Sequence, residues 1–120
     1  MRWFSPPESS RKLYLKGQRT IPSDTVCYPA KLLHGHVEAL VEAGVDAIFY
    51  PCMPYNFNEG VSDNNYNCPV VAYYPELLAA NVPNLKKVRY LSPYFGLHRP
   101  KDFERKASEW FFNEFQVPKR

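Results

Sequence analysis

Apolar and polar positions change their period several times along the chain, and each change marks a predicted element. Between residues 29 and 43, Leu33, Val37, Leu40 and Val41 recur at helical spacing with Lys31, Glu38 and Glu42 opposite, so the main helix is predicted there. Pro29 suits its first turn, where a missing N–H costs nothing, and Gly44 suits its end. Upstream, residues 8–16 set Leu13 and Tyr14 among charges and predict a short helix stopped by Gly17. The run Asp46-Ala47-Ile48-Phe49-Tyr50 has no helical period and predicts a strand buried on both faces and ended by Pro51.

Residues 53–67 turn polar and rich in asparagine, the composition of a functional loop. Val70-Val71-Ala72-Tyr73 reads as a second strand and residues 87–91 as a third. A parallel strand opening at Val70, however, would set Cys68 on the opposite sheet edge from Cys52. The favoured reading therefore runs residues 67–71 as an extended loop and starts a helix at Pro75. A last helix begins at Pro100, with Phe103, Ala107, Trp110, Phe111 and Phe115 on one face and Lys101, Arg105 and Glu109 on the other. The pattern predicts one domain over residues 1–120: a three-layer α/β fold, with a short, mostly parallel sheet and helices on both faces.

Composition narrows the function classes. Apolar residues make up 45% and charged residues 22% of the 120, which is globular rather than disordered. The net charge of +3 comes from scattered Lys and Arg and forms no basic stripe, which argues against nucleic acid. No run reaches the ~20 apolar residues of a membrane helix, and Met1-Arg2-Trp3-Phe4-Ser5 does not begin a secretory signal, so a cytoplasmic location is expected. No phosphate-binding glycine loop, dinucleotide fingerprint, nucleophile elbow or HExxH motif is present, so a self-contained hydrolase is not expected.

Three cysteines hold the candidate chemistry. Cys27, Cys52 and Cys68 each lie within two residues of a proline, where a loop meets a regular element. Three cannot all pair in disulfides, and no CxxC spacing marks a zinc ribbon. Drawn together from separate loops, three thiolates can hold a 4Fe-4S cluster, zinc or copper(I), whereas free turn or core cysteines are the plainer alternative. Cys27 precedes the main helix, whose positive end favours a thiolate, with Lys31 one turn in. His34 and His36 on that helix are candidates to contact a cluster or substrate, against one packing and one exposed histidine. Gly35 between them costs about 1 kcal/mol relative to alanine in a helix, which close approach by a neighbouring element would explain. Asp63, Asn64, Asn65 and Asn67 flank Cys68 and are candidate donors to sulfide or a bound carbonyl, or simply turn formers.

Four motifs also carry a family resemblance: Ile21-Pro22-Ser23-Asp24-Thr25-Val26-Cys27-Tyr28-Pro29-Ala30-Lys31, His34-Gly35-His36, Ile48-Phe49-Tyr50-Pro51-Cys52 and Tyr66-Asn67-Cys68-Pro69-Val70-Val71. In this order they resemble the domain of unknown function of the CoA-substrate-specific enzyme activases, the activators of 2-hydroxyacyl-CoA dehydratases, over residues 3–97. The resemblance implies a bacterial, anaerobic setting and ATP-driven, low-potential electron transfer. ATP-binding activase modules and dehydratase-like modules, in the same or another chain, are the implied partners. By analogy with the dehydratase subunits, it assigns Cys27, Cys52 and Cys68 to a 4Fe-4S cluster. It gives no role to Lys31, His34 or His36. Such domains open with a further strand and helix that have no counterpart here, which implies a truncated piece whose exposed sheet edge a second copy could cover. With no ATP-binding module, the chain is not expected to be an enzyme by itself. The leading expectation is an iron–sulfur or redox domain. The alternative is a non-catalytic interaction or scaffold domain with a zinc site or free cysteines.

Overall fold

In the computed structural model, which describes residues 3–56, 60 and 66–116, the chain folds as an α/β protein. Its residues fall into two units, 1–50 with 74–92 and 51–73 with 93–120.

The first unit begins with helix α1 (Arg11–Gly17), capped by Ser10, whose hydroxyl accepts the Leu13 N–H at 3.1 Å. A 3-10 turn (Gln18–Thr20) leads toward helix α2 (Tyr28–Glu42), which carries Pro29 in its first turn and ends ahead of Gly44 at φ +77°. The two helices cross at Gly17 and Gly35. A Cβ on Gly35 would overlap the Leu13 carbonyl, and one on Gly17 would overlap the backbone of His34 and Gly35. The glycine in mid-helix is thus the point of closest backbone approach.

Strand β1 (Ala47–Phe49) pairs in parallel with strand β2 (Arg89–Leu91), in the register Ala47–Arg89, Ile48–Tyr90 and Phe49–Leu91. The expected short parallel sheet has two strands among the described residues. A 3-10 helix (Pro83–Lys87) precedes β2 and packs on α2, where the Asn84 amide donates to the nearly buried Glu38 carboxylate at 2.9 Å. Leu13, Ala30, Val37, Ile48, Leu78, Val82 and Leu85 form this unit's core.

The segment read as a strand at 70–73 is instead the beginning of helix α3 (Pro69–Asn81). Pro75 lies inside that helix and does not start it. Proline there forfeits its own helical hydrogen bond, but the Pro75 carbonyl is held by the Tyr90 hydroxyl at 2.7 Å. Ala72, Pro75, Leu78 and Val82 are buried at helical intervals, a period hidden in sequence by the unbroken apolar run. The extended loop over residues 67–71 is corrected with it, because the Ala72 N–H already bonds the Cys68 carbonyl at 3.0 Å. Residues 69–73 of α3 belong to the second unit and 74–81 to the first.

The second unit is built on helix α4 (Pro100–Phe115), which starts at Pro100 as the pattern predicts. None of its residues is fully buried. Phe95, 5% exposed, is the anchor: its ring meets Phe103 and Trp110 edge-on at 5.6 and 6.1 Å. Cys52 makes a parallel bridge to Tyr94, donating its N–H to Pro93 and accepting from Phe95 at 2.8 and 2.9 Å.

Candidate functional site

In the first unit, the amino end of α2 brings Cys27, Lys31 and His34 into play. Cys27 occupies the N-cap with extended backbone (φ −65°, ψ 156°), is exposed, and makes no side-chain cap bond. Lys31 turns back to donate to the Asp24 carbonyl at 2.8 Å, which ties down the turn before Cys27.

His34 is fully buried, and its tautomer follows from its neighbours. The Thr20 hydroxyl donates to the Gly17 carbonyl at 3.1 Å, so it can only accept from His34 Nδ1, 2.7 Å away. His34 Nε2 is then the acceptor and the Tyr74 hydroxyl donates to it at 2.7 Å. Burial lowers the His34 pKa and keeps the ring neutral. Burial, and then electrostatic repulsion toward Cys27, raises the pKa of Tyr74 and keeps it a donor. Both ring nitrogens of His34 are thus spent within the fold, so neither is free to act as a base. His36 bonds the Ser9 hydroxyl at 3.0 Å through Nε2, while its buried Nδ1 has no hydrogen-bond partner. Burial lowers its pKa also.

In the second unit, Cys68 is exposed just before α3 and Cys52 is fully buried. Asn67 donates its side-chain amide to the Met53 carbonyl at 2.6 Å and its backbone N–H to Pro54 at 2.9 Å, pinning two chain segments together. Asp63, Asn64 and Asn65 lie outside the described residues. No disulfide joins any of the three cysteines; Cys27 belongs to one unit and the other two to the second. Among the described residues, no group of three or more His, Cys, Asp or Glu side chains could hold a metal.

A cleft that the cysteine pattern did not signal lies in the second unit, with a volume of about 200 Å³. Tyr55, Tyr94, Phe95 and Phe103 give it aromatic walls, and His98, Arg99, Asp102 and Lys106 add charged and polar groups. The Tyr55 ring lies 4.7 Å from both Tyr66 and His98. Its phenol is held above its usual pKa by the hydrogen bond to Tyr66. The sequence signal was the spacing of residues 99, 102, 103 and 106, a face of α4 that borders its aromatic stripe and shares Phe103 with it.

A family model described as the CoA enzyme activase uncharacterised domain matches residues 1–120. No match was found among curated proteins or among solved structures. Among the described residues, no helix is long and apolar enough to cross a membrane.

Proposed function

Because this chain belongs to the family of the CoA enzyme activase uncharacterised domain, we propose that it is a non-catalytic interaction domain docking the ATP-binding activase and dehydratase-like modules of such a system. The carrying observation is the exposed aromatic surface of the second unit. Tyr66, Val71, Tyr73, Tyr94 and Phe112 are five of the nine large exposed hydrophobic side chains among the described residues. Scattered exposed apolar residues are ordinary, but four exposed rings within one unit supply the aromatic side chains that association surfaces favour. Binding of the chain to each purified module tests the reading. Tyr66→Ala combined with Phe112→Ala should weaken the complex about tenfold or more, and Cys27→Ser combined with Cys68→Ser should leave it unchanged. Absence of a complex with either module contradicts the proposal.

One observation favours a second reading, an iron–sulfur or redox domain assisting ATP-driven electron transfer. Cys27 and Cys68 are both free and exposed at helix starts, where a hydroxyl or carboxylate would cap better than a thiol. Anaerobic reconstitution with iron and sulfide separates the two. A brown protein that loses its colour when any one of Cys27, Cys52 or Cys68 becomes alanine supports the redox domain. A colourless, metal-free protein supports the interaction domain with free cysteines, and stoichiometric zinc supports its zinc-bearing form. Self-association across the sheet edge is a further expectation of the interaction domain, read by sedimentation.

A further inference from the structure

We propose that the cleft at the start of α4 binds a small organic acid, a single flat ring carrying a carboxylate or phosphate. This inference does not depend on the docking role.

Size sets the first limit. At about 30 Å³ per water, the cleft's 200 Å³ equals the space of six or seven waters, enough for one ring and one small polar group. Its walls set the second. Tyr55, Tyr94, Phe95 and Phe103 supply ring faces and edges that suit a flat apolar body.

Charge sets the third. Arg99, Asp102, Phe103 and Lys106 fall at i, i+3, i+4 and i+7, so the first two turns of α4 turn one side toward the cleft. Asp102 does not make that side acidic. Its carboxylate is held by the Arg105 guanidinium at 2.9 Å, and Arg105 chiefly, with Lys106 and Arg99, keeps its pKa low. With Asp102 thus neutralised by a residue outside the cleft, Arg99 and Lys106 leave a positive excess, and the helix dipole adds the same sign. An anion attached to a ring matches both parts, and a neutral or cationic ring matches only one.

Gly96 shapes the same cleft. A Cβ there would come within 2.9 Å of the His98 ring, which meets the Tyr55 ring at a 50° tilt. Gly96→Ala therefore pushes His98 aside without touching any of the cations.

Titration of the whole chain with benzoate, phenyl phosphate, benzamide and inorganic phosphate, followed by calorimetry and by amide shifts over residues 94–106, tests the proposal. Benzoate or phenyl phosphate should bind saturably and at least about tenfold tighter than isosteric, uncharged benzamide; which of the two binds better identifies the anionic group. Arg99→Gln combined with Lys106→Gln should bring the acid down to the benzamide level, whereas Lys101→Gln, on the same helix but outside the cleft, should change nothing. The amide spectrum of each variant reports whether the fold is intact. Benzoate binding no tighter than benzamide, acid binding that survives the double substitution, or no binding by either acid overturns the assignment. Inorganic phosphate binding as well as phenyl phosphate overturns its aromatic part.

Discussion

At the scale of single residues, Gly35 shows how one position can fix a helix pair. The spacing of apolar positions gives it no role, and its cost inside a helix was the only clue to a close neighbour. Because a Cβ there would strike the Leu13 backbone, which no side-chain rotation can relieve, Gly35→Ala should cost about 3 kcal/mol in denaturant unfolding. Gly44→Ala should cost only about 1 kcal/mol, since its positive φ is strained for alanine but the surrounding space is open. His34 is the second instructive residue. The sequence placed it on the cysteine-bearing helix, yet its partners Thr20 and Tyr74 lie 14 and 40 residues away, and no local pattern could have named the latter. Tyr74→Phe leaves a buried Nε2 without a donor and should cost about 1–3 kcal/mol. Because burial lowers the folded-state pKa of His34, the unfolded chain binds more protons once the pH drops below the ordinary histidine value of 6.5. The His34 contribution is therefore complete above that pH and is lost as the pH falls toward the lowered pKa. Thermal unfolding of the wild type should show a Tm that falls as the pH drops below about 6.5, and a Tm unchanged by that acidification would contradict the assigned neutral tautomer.

At the scale of elements, the sequence located α1, α2, β1, β2 and α4 because caps, prolines and periodicity agreed. It failed at α3 because Pro75 read as a helix start and Val70-Val71-Ala72-Tyr73 as a strand, although local propensity there yields to burial of Ala72, Pro75 and Leu78 along one side. The correction gives Cys68 a new setting: like Cys27, it stands at the start of a helix and before a proline. At Cys27 the backbone already has the extended conformation of an N-cap and lacks only an oxygen acceptor. Cys27→Ser should therefore stabilise the chain by up to about 1 kcal/mol, read as a higher midpoint at unchanged slope in urea. A loss of stability would show that the thiol has packing or charge interactions that a hydroxyl cannot replace.

At the scale of the molecule, the family and the α/β class were legible, and the three-thiolate site has no counterpart among the described residues. Proline neighbours place a cysteine at a turn but do not say which turns converge. Convergence is a property of the whole fold, and here Cys52 is consumed by the core while the other two stay exposed. The aromatic residues were equally visible in sequence, and the pattern set those of α4 on one face, but none of them is fully buried. Tyr66, Tyr73, Tyr94 and Phe112 remain on the surface, which makes association the better use of so many rings. The dissociation constant between this chain and an activase or dehydratase-like module, measured side by side for the wild type, the Tyr66→Ala/Phe112→Ala variant and the Cys27→Ser/Cys68→Ser variant, tests that account most directly. The account predicts a complex that the aromatic substitutions weaken about tenfold or more and the cysteine substitutions leave intact. A complex that survives loss of the rings and disappears with loss of the thiols would contradict it.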